Sequence, residues 1–234
     1  MQIAKSIVNM PLGWLGLEVR RVSYGKDALG DVKKLISLDT PAVIFDVGAN
    51  YGQSIKKFRR RFSSPIIHAF EPSAKTFREL EAATKNTPSL RLNNFALGSK
   101  PGMLDLIENV QSEMSSFLSP GPKHWGAIDE VTTVRVDTLD QYCSQNSIDR
   151  IDLLKIDAQG FDLEVLRGAQ AVISANTIRC VLIEITFIEI YQGAPRFDEV
   201  FRFLLDHEFR LISFYEVVYR GGAIAWADAL FVRR

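Results

Sequence analysis

Three acids in this 234-residue sequence each end an apolar run and each stand before a turn. They are the side chains best placed to do chemistry. Asp46 follows Val43-Ile44-Phe45 and precedes Val47-Gly48-Ala49-Asn50-Tyr51-Gly52. A strand that runs into a glycine turn and then a helix brings backbone amides up to a ligand with no Cβ in the way. A carboxylate two residues before the first glycine can hold an ammonium group and hydroxyls. Dinucleotide sites use G-x-G-x-x-G and face a pyrophosphate. Here the glycines are spaced G-x-x-x-G, and Asp46 would repel a phosphate. A sulfonium amino acid such as S-adenosylmethionine carries an ammonium, a positive sulfur and no phosphate, and it suits this turn.

Glu71 closes the next apolar run, Pro65-Ile66-Ile67-His68-Ala69-Phe70, before Pro72. It stands about twenty residues beyond the glycine turn, where an acid binds ribose hydroxyls. Its plainer reading, a solvated loop acid, weakens once it is paired with the first motif. Asp157 ends Asp152-Leu153-Leu154-Lys155-Ile156 and precedes Ala158-Gln159-Gly160. Ligands of open α/β sheets sit at the carboxyl ends of the strands, so Asp46, Glu71 and Asp157 face one crevice. Buried like charges raise one another's pKa, and a cationic ligand, a metal or Lys155 would relieve them. Asp157 is the candidate catalytic base or orienting group, against the alternative of a solvated strand-end acid. Glu184 and Asp228 lie near strand ends farther on, where either can line the substrate side; Glu184 is a further candidate base, and a structural hydrogen bond is the plainer role for both. His124 is a second candidate base, with a surface loop residue as its preferred reading. His68 reads as a satisfied sheet histidine. No compact metal-ligand motif is visible, and no metal is assigned.

The elements that must position these groups alternate. Helical apolar spacing marks 27–38; strands are expected at 42–47, 65–70 and 90–96, with helices at 53–62 and 74–85. Strand-like runs at 102–109 and 131–136 flank 112–126, a stretch rich in Gly, Pro and Ser that reads as a mobile flap. Helix 138–144, strand 151–156, helix 162–175 and strand 178–185 follow. Helix 198–207 and strands 209–218 and 226–232 end the chain. The pattern predicts an α/β fold: a mostly parallel sheet with crossover helices on both faces and an antiparallel pair at the end. Residues 1–40 form a helical lead-in assigned to the substrate pocket or a subunit contact, and 41–234 the main domain. At 47% hydrophobic and 24% charged, with zero formal net charge, the chain can build one ample core. It has no basic excess to attract nucleic acid. No apolar run would span a bilayer, and no secretory leader is read at the start. Two cysteines make no disulfide framework, and a reducing cytoplasm is expected.

Ordered motifs add a resemblance. Val-Gly-Ala-Asn-x-Gly at 47–52, Phe-Glu-Pro at 70–72, Ala-Leu-Gly at 96–98 and Met-Ser-Ser at 114–116 are followed by Val-Asp-Thr-Leu-Asp at 136–140. Leu-Leu-Lys-Ile-Asp-x-x-Gly at 153–160 and Glu-Val-Leu-Arg-Gly-Ala at 164–169 complete the set. From about residue 42 onward the chain resembles the FkbM family of S-adenosylmethionine-dependent methyltransferases. The resemblance implies the class I methyltransferase sheet, Rossmann-like, with its last strand inserted antiparallel. It implies cofactor contacts from Asp46, Gly48, Asn50 and Glu71, and adenine held near Phe95 and Ala96; Gly52 completes the expected cofactor loop. It implies transfer of a methyl group to a hydroxyl oxygen on a sugar or secondary metabolite, so a small-molecule or glycan acceptor. The family often has an acid where this chain has Gln159. A nicotinamide-dependent oxidoreductase and a non-catalytic cofactor-binding module are the alternatives; the glycine spacing opposes the first and the intact cofactor loop the second.

Overall fold

The computed structural model describes residues 23–36 and 41–234. Helix α1 (Ala28–Leu35) is capped by Asp27, whose side chain accepts the Gly30 amide. The rest of the expected lead-in, 1–22 and 37–40, lies outside the described residues. Strand β1 (Val43–Val47) leads into α2 (Gln53–Arg61), β2 (Ile66–Phe70), α3 (Ala74–Thr84), β3 (Leu90–Asn93) and β4 (Ala96–Leu97). Strands β5 (Gly102–Asn109) and β6 (Ile128–Asp137) flank a short 3-10 turn at Ser112–Met114. Helix α4 (Leu139–Gln145), strand β7 (Ile151–Ile156), helices α5 (Asp162–Arg167) and α6 (Gln170–Ser174), and strand β8 (Ile178–Thr186) come next. Helix α7 (Phe197–Asp206) and strands β9 (Phe209–Arg220) and β10 (Ala223–Arg233) end the chain.

The main sheet has seven strands in the order β3-β2-β1-β7-β8-β10-β9. Strands β1, β2, β3, β7 and β8 pair in parallel, and β10 is inserted antiparallel between β8 and β9. The fold is thus the expected class I methyltransferase arrangement. Gly221 and Gly222, with φ of 59° and 82°, make the two-residue turn that joins the last two strands.

A parallel strand covered by helices on both faces is apolar almost throughout, and its alternation then sorts residues between two cores. Phe45 and Val47 join Phe70, Leu154, Ile156, Val181 and Ile183 in one cluster. Ile44 joins Ile67, Leu153, Cys180, Leu182 and Leu230 in the other, with Val32 of α1 and Ile55 and Phe58 of α2. Asp46 shares the face of Ile44, the face that α1 and α2 cover. Cys143 and Cys180 are free and buried, and burial pushes both thiols up to about 12. Among the described residues no helix is long and apolar enough to cross a membrane.

Three sequence expectations need correction. The strand foreseen at 90–96 ends at Asn93, because Asn93 Nδ2 donates to Ala69 O and Asn94 Nδ2 donates to Glu71 O, turning the chain out of the sheet. Ala96–Leu97 then pairs with β6 in a separate three-stranded sheet, β4-β6-β5. The helix foreseen at 162–175 is two helices. It breaks after Arg167, and the Asp140 carboxylate accepts the Ala171 and Val172 amides, both at 2.9 Å, to start the second. Finally, 112–126, expected as a mobile flap between two strands, is fastened to its surroundings at several points. Met114 and Ser116 are buried, Gly121 N donates to Ile190 O, and Trp125 stacks on Trp226.

The break at Gly168 also brings α5 against the turn after β4. A Cβ on Gly168 would lie 2.0 Å from Gly98 O, although its φ of −84° suits any residue. Gly168→Ala should therefore lose about 1–3 kcal/mol through overpacking. Gly102→Ala, whose Cβ would meet nothing within 4 Å, should stay within about 0.5 kcal/mol. Urea denaturation of the two variants checks this, and equal losses would contradict the packing argument.

Candidate functional site

Two turns at the carboxyl ends of neighbouring strands form the site. Gly48 N and Ala49 N both donate to Phe70 O at 3.0 Å, and Asp157 N donates to Val47 O at 3.0 Å. The first turn is thus clamped between the ends of β2 and β7. Gly48 has φ +77°, and a Cβ there would lie 2.0 Å from Asp157 O. The glycine is required by the second turn pressing on it, rather than by ligand approach alone. In that second turn Asp162 accepts the amides of Ala158 and Gly160, both at 3.0 Å. Burial, first, pushes the Asp162 carboxyl up to about 6.

Glu71 is nine-tenths buried by its own fold yet faces a cavity. Its two oxygens accept Asn50 N at 2.9 Å and Ser73 N at 3.0 Å. Ser73 caps α3 and donates its hydroxyl to Glu108, which also accepts from Thr132, both at 2.6 Å. Burial raises the Glu71 carboxyl to about 7; the two amides oppose the shift, and the charges of Glu108 and Asp46 add to it. The cavity it faces measures about 90 Å³. Gly48, Asn50, Glu71, Asp157 and Gln159 give it a polar side; Pro72, Ala96, Leu97, Leu106 and Phe117 give it an apolar one. The segment Ser112–Phe117 closes it. Ser112 Oγ donates to Asn50 Oδ1 at 2.9 Å, and Ser116 Oγ donates to Gln159 O at 2.6 Å, tying the segment to both turns.

A row of charges crosses the sheet on the α2 side. Register sets Asp46 beside Lys155, and Glu184 beside Asp228. Lys155 Nζ lies 3.3 Å from both Asp46 Oδ1 and Asp157 Oδ2. Burial alone would lower the lysine; the carboxylates of Asp157, Asp46 and Asp228 overcome it and raise it. Asp46 is fully buried, its Oδ2 has no hydrogen-bond partner among the described residues, and its contact with Lys155 is an ion pair without hydrogen-bond alignment. Burial raises Asp46, with Lys155 opposing. Burial, followed by the charge of Asp157, also raises Glu184 and takes Asp228 to about 6. Gln159 Nε2 donates to Asp157 Oδ1 at 2.7 Å and to Glu184 Oε2 at 3.1 Å, while its Oε1 accepts from Tyr191 OH at 2.8 Å. An acid in place of Gln159 would meet two carboxylates and have no proton to offer either. Here the amide is the complementary group. Lys155, Asp157, Glu184 and Asp228 line a second cavity of about 600 Å³, walled by Tyr215, Trp226 and α2.

The expected residues divide accordingly. Gly48, Asn50, Glu71 and Ala96 line the smaller cavity, Glu184 lines the larger one, and Asp157 lines both. Asp46 lies behind Lys155, off either wall. Gly52 starts α2 at φ +84° and packs against Leu80 and Thr84, so it shapes the turn. Phe95 points into an aromatic cluster with Phe70 and Tyr142, under the Arg135 guanidinium. His124 packs edge-on to Tyr191 and lines neither cavity. His68 is the sheet histidine expected: Tyr142 OH lies 2.7 Å from Nδ1, and burial lowers the ring to about 4. Sequence reasoning missed Leu97, Leu106, Phe117, Ser112, Ser116 and Tyr191. Only the Met-Ser-Ser motif at 114–116 hinted at that wall.

Comparisons with known proteins agree with this architecture. The family model described as "Methyltransferase FkbM domain" matches residues 46–211. The 2-O-methyltransferase NoeI of Sinorhizobium fredii (strain NBRC 101917 / NGR234) is 23% identical over 162 residues, 64% of this chain and 66% of that protein. Methyltransferase 1 of Beauveria bassiana (strain ARSEF 2860) is 27% identical over 142 residues, 53% of this chain and 57% of that protein. The chain thus matches less than two thirds of the length of either relative. The solved structure of the bifunctional kinase-methyltransferase WbdD superposes with a TM-score of 0.51 at 10% identity, over 88% of this chain and 37% of that one, a likeness of fold. With its matched span covering both turns, Glu71, Lys155 and Glu184, this chain belongs to the FkbM methyltransferase family.

Proposed function

We propose that the chain binds S-adenosylmethionine in the smaller cavity and methylates a hydroxyl oxygen of a sugar or secondary metabolite seated in the larger one. The observation that carries this reading is Asp157, a wall residue of both cavities. Among the described residues Asp157 is the one common to both walls, so transfer between the two spaces would occur beside it. The side-chain chemistry fits the cofactor. Glu71 would accept the two ribose hydroxyls, the apolar side would take a flat base, and the Gly48–Asn50 turn would receive the amino-acid end. The printed name of NoeI, a 2-O-methyltransferase, supports oxygen as the atom methylated.

When bound, the cofactor supplies a methyl group that is already activated. The protein has to present the acceptor oxygen, relieve it of its proton and exclude water. Asp157, whose side chain is 35% exposed, is the group that reaches the acceptor space. Lys155 and Gln159 hold one of its oxygens each, which fixes the carboxylate plane. Asp46 acts on this site through Lys155. At about 90 Å³ the smaller cavity is well below the roughly 300 Å³ of ordinary ligand sites. Entry of a nucleoside therefore requires the Ser112–Phe117 segment to swing outward, releasing its two serine contacts.

The Glu71 shift sets a pH dependence. In the ligand-free protein the folded carboxyl, at about 7, keeps a proton that the unfolded one releases at 4.5, so this group's contribution to stability is lost as pH rises between those values. Ribose hydroxyls donate to the ionised form. S-adenosylhomocysteine affinity measured by calorimetry should rise as pH passes from 6 to 8, by up to about tenfold per unit below the carboxyl's pKa, and then level off. Glu71→Gln should weaken binding by about 1.5–3 kcal/mol and flatten the profile. An unchanged profile in the variant would remove Glu71 from the site.

Asp157→Asn keeps the size of the side chain and removes its charge. Turnover on the acceptor should fall by about 10²–10⁴-fold with S-adenosylhomocysteine affinity nearly unchanged, measured by labelled-methyl transfer and calorimetry. Full activity would make Asp157 a bystander, and parallel loss of both would make it a cofactor ligand.

A further inference from the structure

The larger cavity carries its charge in two zones. Asp157, Glu184 and Asp228 form a floor of carboxylates around Lys155, at the strand ends. Such a floor accepts hydrogen bonds from hydroxyls and is a poor surface for an anion. The rim is the reverse. Lys57, Arg60 and Arg61 of α2, with Lys26 from the segment before α1, line the same cavity. Ser54, Lys57, Phe58 and Arg61 recur at the i, i+3, i+4 and i+7 spacing of one helix face, so the sequence of α2 aims these cations over the opening while Phe58 anchors the helix in the core.

The rim cations are not committed to the fold. Lys57 meets Glu216 at 3.2 Å, but both side chains are exposed, at 59% and 70%. Arg61 pairs with Asp27, also in the open. Exposed pairs of this kind contribute little and exchange readily for a better partner. Lys26 and Arg60 form no ion pair among the described residues, leaving four rim cations against two rim acids. The smaller cavity, by contrast, has no Lys or Arg in its wall. The positive zone therefore belongs to whatever occupies the larger one. A neutral acceptor would use the floor and leave the rim idle.

We propose that the acceptor is an anionic polyhydroxy molecule, with a hydroxyl on the Asp157 floor and a phosphate, sulfate or carboxylate group held by Lys57 and Arg60 at the rim. This rests on the reading of the larger cavity as the acceptor site of a methyltransferase. Bidentate guanidinium contact and a neighbouring ammonium recognise such groups strongly because both donor and acceptor are charged. The arrangement also sets direction: the acid floor repels the anion, so the molecule enters hydroxyl first.

The test uses pyrophosphate as the probe, titrated by calorimetry into the full chain, with S-adenosylhomocysteine affinity measured first. Two double variants change charge equally on one helix. Lys57→Gln with Arg60→Gln alters the cavity rim, and Lys56→Gln with Arg59→Gln alters residues outside the cavity wall. Wild type and the second variant should bind pyrophosphate alike, and the first should bind it about tenfold or more weakly. Glucose 6-phosphate should displace the probe and glucose should not. Equal weakening in both variants, or no pyrophosphate binding by wild type, would overturn the proposal. So would a short RNA that displaces the probe better than glucose 6-phosphate, since the rim would then be a nucleic-acid surface. Absence of S-adenosylhomocysteine binding would instead defeat the cofactor reading, whatever the anion result.

Discussion

One buried ammonium holds this site together. Lys155 stands on the central strand pair with Asp46 on one side and Asp157 on the other, 3.3 Å from each. Without it, four neighbouring strands would bring Asp46, Asp157, Glu184 and Asp228 together on one face of the sheet. Carboxylates so placed must give up charge or move apart. The lysine lets the strand ends stay in register and keeps the acids near one crevice. Burial would strip an isolated lysine of its proton; here the surrounding carboxylates keep it charged. The pair is best understood as specifying an arrangement, since a buried ion pair is a weak source of net stability.

Around that cation the backbone is built for contact between two turns. Gly48 admits the Asp157 carbonyl where no Cβ would fit. Asn50 and Gln159, at φ of 46° and 49°, hold left-handed positions in the two turns. Both are also where the Ser112–Phe117 segment is fastened. One segment thus spans the smaller cavity while reading the geometry of both turns. Gln159 extends the link to Tyr191 and Glu184, so the floor of the larger cavity and the cover of the smaller one share a hydrogen-bond network.

Much of this was legible in the sequence because it follows from periodicity and spacing. The apolar runs ending in Asp46, Glu71 and Asp157 marked the strand ends, and Lys155, out of phase with its apolar neighbours, was readable as a partner for those acids. What sequence could not show was which side of the sheet each cavity opens on. Asp46 shares the face of Ile44 and so lies behind Lys155, although its position in the motif suggested direct ligand contact. Phe95 was misplaced because Asn93 and Asn94 take the chain out of the sheet through side-chain hydrogen bonds that no pattern announces. The Ser112–Phe117 wall was hidden because an irregular segment carries no period; its position comes from tertiary contacts to Asn50, Gln159 and the buried Tyr191. The sequence of α2 carries Lys57, Arg60 and Arg61, but only the fold sets them over the acid floor.

The central claim is that Asp157 stands between a cofactor space and an acceptor space. A crystal structure of the protein with S-adenosylhomocysteine bound tests it most directly. The account predicts the ribose on Glu71, the base against Leu97 and Phe117, the Ser112–Phe117 segment displaced outward, and the sulfur at Asp157, facing the larger cavity. A ligand lodged in the larger cavity, or one whose sulfur points away from Asp157, would contradict it.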